Sequence, residues 1–347
     1  MNLRRLPYVF VLVLLGGAWL PLSSAQATTS PTPAPPLILV EHATTGPFVL
    51  AAKVGSLTAA WVDPEFGVNA WGAVASDPTN GPLIAVIDGS YNVWAKEGSL
   101  TAPWVEVFTG AWTDSYYVAV ASDPTNGPLI AVIDNSGNVW AKEGSLTAPW
   151  VEEYSGGSGA TAPVSVSVAS DPTNGPLIAV STAGGVVYAK LGSLTAPWVE
   201  EFTGAEDELY TLSVASDPTN GPLISVLAGG NAYAKEGSLT APWVEEYAGV
   251  VAAAVASDPT NGPLISVIDG SYNVWAKEGS LTSPTWVEEY ASIEHEAYAL
   301  SVASDATNGP LVAVVDGSDN AWAKEGSLTS PTWVEEYTSA DAVAVAG

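Results

Sequence analysis

The chain carries an octapeptide, S-D-P-T-N-G-P-L, that returns at nearly regular intervals. Its copies, the last of which has alanine for the first proline, start 41 to 48 residues apart, at Ser76, Ser122, Ser170, Ser216, Ser257 and Ser304. A tryptophan that follows each S-L-T segment occurs seven times, at Trp61, Trp104, Trp150, Trp198, Trp243, Trp286 and Trp333. Repetition with a period of roughly 45 residues indicates a solenoid or a propeller, so the repeat unit constrains the fold more than the chain length does.

Each unit contains four short strand-forming segments separated by turn-forming residues. In the second complete unit the predicted strands cover residues 118–122, 129–133, 139–143 and 150–154. These segments are rich in small, β-branched and aromatic residues, and the Asp-Pro-Thr-Asn-Gly stretch between the first two has the chemistry of a tight turn. No segment sustains the 3.6-residue period of a helix. Four antiparallel strands per unit, repeated along the chain, predict the blades of a β-propeller.

The two ends of the repeat region predict how the ring closes. Residues 36–40 match the second strand of a unit and residues 48–55 match the third, whereas residues 341–347 match a first strand and then stop. An open solenoid would need distinct polar caps at its ends, and here the two fragments complete one another. We therefore predict an all-β fold over residues 36–347, a seven-bladed β-propeller of four-stranded antiparallel blades whose first blade is closed by the C-terminal strand. Such pairing removes two open sheet edges in a chain that has no cysteine.

The first 35 residues differ in composition from the repeat region. Residues 1–27 contain Arg4 and Arg5, then an apolar run and small residues, which is the pattern of a cleaved export signal. An uncleaved membrane anchor is the alternative, but the apolar run is short for a span and holds two prolines. Residues 28–35 form a Pro/Thr/Ser-rich linker. The sequence thus predicts a secreted, extracytoplasmic protein with no stable membrane insertion after cleavage.

The charge of the chain limits its partners. Without residues 1–27 it keeps seven lysines against 37 acidic residues, a formal charge of −30. Nucleic acids and anionic membrane surfaces would be repelled, so no nucleic-acid partner is expected. The acidic residues do not form blocks and 47% of the chain is hydrophobic, which argues for a folded protein with an acidic surface rather than for disorder.

A nine-residue segment in the third strand region carries a family likeness. It stands as D-G-S-Y-N-V-W-A-K at residues 88–96 and 269–277, as D-N-S-G-N-V-W-A-K at 134–142 and as D-G-S-D-N-A-W-A-K at 316–324. Each copy is followed by S-L-T and W-V-E. In this pattern the chain resembles the bacterial lectin-like propellers of the fucose-lectin and tectonin type, over nearly all of residues 36–347. The resemblance implies a sugar-binding propeller whose ligands lie in clefts between blades.

The same segment predicts contacts within and between blades. Two adjacent glutamates in the fourth strand point to opposite faces, so we predict a cross-strand Lys–Glu pair on the outer edge of each blade. Seven anion sites are the alternative, which the surrounding acidic residues oppose. The lysines concerned are Lys53, Lys96, Lys142, Lys190, Lys235, Lys277 and Lys324. The aromatic residues two positions before lysine are predicted to pack between blades, with sugar stacking as the alternative: Trp94, Trp140, Tyr188, Tyr233, Trp275 and Trp322.

Catalysis is not predicted. Asp134, Gly137 and Trp140 partly match the Asp-box of sialidases, but their spacing differs, and beyond residues 1–27 the chain has no arginine to hold an acidic sugar. There is no cysteine nucleophile, and the paired glutamates of the fourth strands point to opposite faces and are not one acid–base pair. A glycan-active enzyme is therefore only a remote alternative, and no cofactor is expected.

The connections that differ between units are the predicted binding surface. Antiparallel strands place the nearly constant turns on one face and the second turns and blade-to-blade loops on the other. Variable loops on a rigid scaffold are where binding residues concentrate, although unconstrained drift in loop sequences is the alternative. The candidate ligand-binding residues on this variable face are Trp71, Trp112, Asp114, Tyr116, Glu206, Asp207, Tyr210 and Tyr298.

The two histidines of the chain define a candidate metal site that we do not favour. His42 and His295 both fall on the variable face, the former next to Glu41 and the latter between Glu294 and Glu296, with Asp341 in the connection between them. Histidine and carboxylates together can bind a divalent ion. Two isolated surface histidines are the simpler explanation.

These observations predict a secreted, non-catalytic binding module, either carbohydrate-binding or adhesive, whose partner is a glycan or a cell-surface protein. The alternative is a structural or protein-interaction scaffold of the cell exterior, because nearly identical blades can multiply without a ligand site to protect.

Overall fold

The protein forms the predicted seven-bladed β-propeller of four-stranded antiparallel blades. The computed structural model describes residues 36–43, 48–62, 71–111, 117–204, 209–291, 297–305, 307–330 and 332–347. The predicted signal (1–27) and linker (28–35) lie outside these residues and remain predictions. Within the described ranges no helix is long and apolar enough to cross a membrane.

The strands follow one another blade by blade. Blade 1 begins with β1 (Leu37–Ala43) and β2 (Phe48–Val54). Blades 2 to 4 contain β3 (Trp71–Asp77), β4 (Gly81–Ile87), β5 (Val93–Glu97), β6 (Val105–Phe108); β7 (Val118–Asp123), β8 (Gly127–Ile133), β9 (Asn138–Glu143), β10 (Val151–Ser155); β11 (Pro163–Asp171), β12 (Gly175–Thr182), β13 (Val186–Leu191) and β14 (Val199–Thr203). Blades 5 to 7 contain β15 (Leu209–Asp217), β16 (Gly221–Ala228), β17 (Asn231–Glu236), β18 (Val244–Ala248); β19 (Val250–Asp258), β20 (Gly262–Asp269), β21 (Val274–Glu278), β22 (Val287–Tyr290); β23 (Ala297–Asp305), β24 (Gly309–Asp316), β25 (Asn320–Glu325) and β26 (Val334–Thr338). The chain ends with β27 (Ala342–Ala346), and a 3-10 turn at Gly159–Thr161 precedes β11.

The C-terminal strand closes the ring, as the sequence predicts. β27 pairs antiparallel with β1, so blade 1 has the order β2-β1-β27 with β27 nearest the axis. The innermost strands then pack in sequence around the axis, with β27 between β23 and β3. The predicted fourth strand of blade 1 is reduced, among the described residues, to a single bridge in which Ala52 and Val62 exchange backbone hydrogen bonds of 2.8 and 2.9 Å.

Small residues let the innermost strands approach one another. Side chains such as Ala119, Ala121 and Ala344 are almost fully buried there, where larger ones would collide at the crowded axis. The second strands, for example β8 with the sequence G-P-L-I-A-V-I, are buried along nearly their whole length. Apolar clusters span neighbouring blades, so the core of this protein is a ring of inter-blade contacts rather than one central mass.

The constant S-D-P-T-N-G turns tie each blade to the next. The buried Asp77 carboxylate accepts hydrogen bonds from the backbone N–H groups of Thr79 and Asn80, each 2.7 Å long, and from the Asn80 side chain. Its second oxygen also accepts the hydroxyl of Ser122, which belongs to the following blade. The same Ser–Asp contact recurs for Ser170–Asp123, Ser216–Asp171, Ser257–Asp217 and Ser304–Asp258. The motif therefore builds a hydrogen-bonded belt between blades, beyond the turn chemistry that the sequence indicates.

The glycine of this turn is required by its surroundings. Gly127 has φ +76°, and a Cβ there would lie 3.0 Å from the carbonyl oxygen of Gly144 in the adjacent turn. A side chain would thus be strained by its backbone conformation and would also press on that turn.

Candidate functional site

Each lysine lies in the interface between its own blade and the preceding one. Lys190 Nζ forms an ion pair with Glu153 of the preceding blade, bonds to the carbonyl oxygen of Leu194 and lies 5.2 Å from the ring centroid of Trp198. The Trp198 indole nitrogen in turn donates to the carbonyl oxygen of Glu153, at 2.6 Å. The other described ion pairs of this kind are Lys235–Glu201, Lys277–Glu246, Lys324–Glu289 and Lys53–Glu336.

This arrangement corrects the predicted Lys–Glu pair on the outer edge of each blade. Lys190 is only 2% exposed, and its partner belongs to a different blade. In the fourth strand the first glutamate, Glu152, lies opposite Trp140 in the register and is exposed, while Glu153 is buried at a register shift and points to the next blade. The lysines and the second glutamates of the fourth strands are therefore buried between blades. All seven lysines are buried, so they do not offset the acidic surface.

The interface between blades 2 and 3 lacks this ion pair. Lys142 is as buried as the other lysines, bonds to the carbonyl oxygen of Leu146 and lies 4.9 Å from the Trp150 ring centroid. Trp150 donates to the carbonyl oxygen of Val107, which stands where the other blades have the second glutamate. Burial lowers the pKa of Lys142 to about 8, as it does for Lys190 and Lys235, which have a glutamate partner, so the missing carboxylate is seen in the contacts and not in this shift.

The D-x-x-x-N-x-W segment forms a cage around an aspartate. Asp134 Oδ1 accepts the backbone N–H groups of Ser136 and Asn138 at 2.8 and 2.9 Å. Asp134 Oδ2 accepts the Asn138 side chain at 3.2 Å and the indole N–H of Trp140 at 2.7 Å. In the same way, the indole N–H groups of Trp94, Trp275 and Trp322 donate to Asp88, Asp269 and Asp316 respectively. Burial alone would raise the pKa of Asp88 and Asp269, but these donors outweigh it and lower the pKa.

In blades 4 and 5 the aspartate and the tryptophan are absent together. Thr182 and Ala228 stand at the aspartate position of these blades, and the aromatic residues are then Tyr188 and Tyr233. A half-buried indole N–H needs an acceptor, and tyrosine does not place a donor at that point. The D-x-x-x-N-x-W segment therefore has a structural role, and it leaves aromatic rings at the blade interfaces.

The predicted packing of these aromatic residues between blades is confirmed. Four of the six rings, those of Trp140, Tyr188, Tyr233 and Trp275, contact the aromatic residue near the end of the fourth strand of the preceding blade. The ring centroids are 6.4 Å apart for Phe108–Trp140, 5.8 Å for Tyr154–Tyr188, 5.6 Å for Phe202–Tyr233 and 6.3 Å for Tyr247–Trp275.

A cavity of about 220 Å³ opens between blades 2 and 3. We call it the blade 2–3 cleft, and its lining residues are Phe108, Thr109, Gly110, Asp134, Asn135, Trp140 and Trp150. The half-buried rings form its walls, while Thr109 and Asn135 are exposed at its rim. The loop after β6 and the second turn of blade 3 meet here, since Ala111 bridges Asp134 and Asn135 N–H donates to the Gly110 carbonyl oxygen. The cleft therefore lies on the variable face.

The candidate binding residues predicted from the sequence fall mostly outside this description. Trp112, Asp114, Tyr116, Glu206 and Asp207 lie outside the described residues, and for Trp71 and Tyr210 only the strand backbone is described, in β3 and β15. Tyr298 is half-buried, with its hydroxyl 3.0 Å from Asp319 Oδ1 and 3.1 Å from the Ala340 carbonyl oxygen. Burial and then the Asp319 contact raise its pKa. Its hydroxyl therefore serves an internal contact.

Of the four candidate metal ligands His42, His295, Glu294 and Glu296, only His42 lies in the described part of the chain. His42 Nε2 lies 2.9 Å from the Tyr337 hydroxyl, and the two ring centroids are 4.8 Å apart. His295, Glu294 and Glu296 lie outside the described residues. No group of three or more potential metal-ligating side chains occurs in the ranges that the structure covers.

At the ring closure, Glu41 is a buried carboxyl group, whereas the sequence suggests only a surface carboxylate beside His42 in the candidate metal site. Glu41 stands in β1 at a position that is Ile87 in blade 2 and Ile133 in blade 3. One carboxyl oxygen accepts the backbone N–H of Gly72, and the other is buried without a hydrogen-bond partner. Burial, and secondarily the Asp341 carboxylate, raises the pKa of Glu41 to about 8 against the opposing effect of the Gly72 bond.

Comparison with known proteins shows the fold and no family. No family model and no curated protein match the chain. Among solved structures, apo AztD from Citrobacter koseri is similar with a TM-score of 0.54 and 9% identity, covering 90% of this chain and 98% of that one. BBS1N, solved in complex with ARL6DN, has a TM-score of 0.54 and 14% identity over 88% of this chain and 94% of its own. The computationally designed Ika8 protein has a TM-score of 0.52 and 11% identity over 93% of both chains. These similarities define the chain as a β-propeller.

Proposed function

We propose that the protein is a secreted, non-catalytic binding module that takes a carbohydrate in the blade 2–3 cleft. The observation that carries this proposal is the combination of aromatic walls, an ordered carboxylate and exposed polar groups in one cavity of the variable face. A mostly apolar pocket with a few placed polar groups is the usual form of a small-molecule site. Sugars present apolar ring faces and hydroxyl groups, which these two kinds of side chain can contact.

The polar groups of the cleft are already ordered. Asp134 is fixed by two backbone and two side-chain donors, so a ligand would not have to immobilise it. Ordering a binding group in advance lowers the entropic cost of association. Trp140, which also lines the cleft, is likewise held by its indole bond to Asp134.

The size of the cleft limits the ligand. At about 220 Å³ it is smaller than the roughly 300–1,000 Å³ of pockets that enclose drug-sized molecules. We therefore propose that the cleft holds a single sugar ring at the end or side of a glycan, with weak affinity for the isolated ring.

A glycan array probed with the protein, followed by titration of variants, tests this function. Thr109→Ala and Asn135→Ala remove exposed polar groups from the cleft and leave the core intact. The matched control is Thr203→Ala, the equivalent of Thr109 at the interface of blades 4 and 5, where Ala228 replaces the aspartate. We expect array binding that the two cleft variants weaken at least threefold and the control does not. A blank array, or binding indifferent to both cleft variants, would overturn the proposal.

The second candidate is a protein-interaction scaffold of the cell exterior. It is supported by the structural role of the most repeated residues, since the Ser–Asp belt and the inter-blade lysines need no ligand to explain them. Among the structures of similar fold, BBS1N is in complex with a protein. This candidate predicts a blank glycan array together with a defined cell-surface partner whose cross-links, mapped by mass spectrometry, lie outside the cleft.

A further inference from the structure

The aromatic residue at the end of each fourth strand differs between interfaces in whether it carries a hydroxyl group. At the interface of blades 6 and 7, the Tyr290 hydroxyl lies 3.4 Å from Asp316 Oδ2, on the same oxygen that holds Trp322. At the interface of blades 5 and 6, Tyr247 stands at the same position, with its ring centroid 6.3 Å from that of Trp275, and burial and then the Asp269 carboxylate raise its pKa. The tyrosine hydroxyl thus reaches the caged aspartate at the interface of blades 6 and 7, and Tyr247 carries the same group at the corresponding position.

The blade 2–3 cleft has the aspartate but no such hydroxyl. Phe108 stands at the tyrosine position, with its ring centroid 6.4 Å from that of Trp140 and 4.9 Å from that of Trp150. Phe202, at the interface of blades 4 and 5, also lacks a hydroxyl, but Ala228 there removes the aspartate. Among the interfaces whose two sides the structure describes, blade 2–3 alone combines the aspartate with a phenylalanine.

We infer that Phe108 selects the blade 2–3 interface as the binding site, because it leaves the place of the tyrosine hydroxyl beside Asp134 to a hydroxyl of the ligand. This inference rests on the proposed function and specifies it. The ligand hydroxyl donates to Asp134 Oδ2 as Tyr290 does to Asp316, and the ligand ring lies against Trp140 and Phe108. Tyr290 fills the equivalent place at its own interface, and Tyr247 carries the hydroxyl at the corresponding position between blades 5 and 6.

The same geometry defines the class of sugar. Asp134 is a carboxylate held by four donors, and a ligand group beside it must donate a hydrogen bond. A neutral sugar hydroxyl meets this requirement. A uronic or sialic acid carboxylate would be repelled by Asp134 and by the acidic surface, which offers no exposed lysine to compensate. The cleft is therefore specific for neutral hexoses or deoxyhexoses.

Adding and removing a single hydroxyl group tests the inference. The probes are the methyl glycosides of glucose, galactose, mannose and fucose, with methyl glucuronide as the acidic counterpart, titrated by calorimetry and by ligand-observed NMR. Phe108→Tyr should weaken binding of the neutral probe at least tenfold. Tyr247→Phe, alone and with Ala248→Thr to supply the equivalent of Thr109, and Tyr290→Phe should raise the number of sites above one. Phe202→Tyr, where no aspartate is present, is the matched control and should change neither affinity nor stoichiometry.

The outcomes separate this inference from the proposed function. If the wild type binds no probe and no glycan on the array, the carbohydrate function fails and the inference falls with it. If the wild type binds a probe in the cleft, but Phe108→Tyr binds it equally well, the inference alone is overturned. An unchanged number of sites in correctly folded Tyr247→Phe and Tyr290→Phe proteins, with melting temperatures near that of the wild type, would overturn it too. Preferential binding of methyl glucuronide would contradict the assigned sugar class.

Discussion

The indole nitrogen of Trp150 donates a 2.6 Å hydrogen bond to the backbone carbonyl oxygen of Val107. The equivalent residues Trp198, Trp243 and Trp333 donate to the backbone carbonyl oxygen of a glutamate. The backbone contact is therefore preserved at the interface of blades 2 and 3, while the carboxylate that would neutralise Lys142 is absent. A buried charge that has lost its partner is costly, so this interface is expected to be the weakest of those that the structure describes.

Restoring the carboxylate should strengthen the ring. Val107→Glu places an acidic group opposite Lys142, and we expect the free energy of unfolding to rise by about 1–3 kcal/mol, because a charged hydrogen bond replaces an uncompensated buried amine. Denaturant unfolding followed by tryptophan fluorescence measures this change.

The matched controls for Val107→Glu are available in the same chain. Val107→Gln introduces a side chain of similar shape without the charge, and it should not raise the free energy of unfolding. Glu201→Val removes the carboxylate partner of Lys235, as Val107 does for Lys142, and should lower the free energy of unfolding by roughly 3–5 kcal/mol. Equal stability of the Val107→Glu and Val107→Gln proteins would show that Lys142 is already neutral or otherwise compensated.

Glu41 should make stability depend on pH. Its pKa is raised from 4.5 to about 8 in the folded state, so the folded protein holds a proton that the unfolded chain releases. The resulting stabilisation is complete below about pH 4.5 and is lost as the pH rises through 8, by on the order of 5 kcal/mol in total. Glu41→Gln, which mimics the protonated group, should flatten the decline in melting temperature between pH 5 and 8. A decline of unchanged slope in that variant would mean that other groups cause it.

The aspartate and tryptophan of one cage should be coupled. Asp316→Ala removes the acceptor of the Trp322 indole and should cost about 1–3 kcal/mol, because the N–H loses its partner in a half-buried position. Trp322→Tyr in the same protein reproduces the state of blades 4 and 5 and should recover part of that loss. A double-mutant cycle of unfolding free energies gives the coupling, and strict additivity of the two substitutions would contradict it.

Salt should stabilise the fold. The seven lysines lie inside the blade interfaces, so they do not screen the repulsion between exposed carboxylates such as Glu152 and Glu200. Raising NaCl from about 20 to 500 mM shortens the Debye length and should raise the melting temperature at neutral pH. A melting temperature that falls on adding salt would show that the inter-blade ion pairs dominate the response.

The architecture could be predicted from the sequence because it depends on repetition. The match of residues 36–40 to a second strand and of 341–347 to a first strand sufficed to predict the closure by β27. The partner of each lysine could not be predicted in this way. One repeat does not show that Glu153 turns toward the next blade, since this depends on a register shift in β10 and on how blades pack.

The candidate site was only partly within reach of the sequence. The sequence predicts Trp140 as an inter-blade ring, but the role of Phe108 depends on the contact between Tyr290 and Asp316, which no single repeat reveals. The sequence does mark these positions, because Phe108, Val107 and Glu41 each differ from the residue that most repeats have at the same position. The structure was needed to show what those departures face.

The burial of every lysine beside a tryptophan has a practical consequence. Reagents that acylate amines can reach these groups only when two neighbouring blades separate, and each interface contains one lysine of its own. The rate of acylation at each lysine, followed by peptide mass spectrometry, would therefore report the opening of each of the seven blade interfaces separately. The seven lysines can thus serve as chemical probes of local opening between blades.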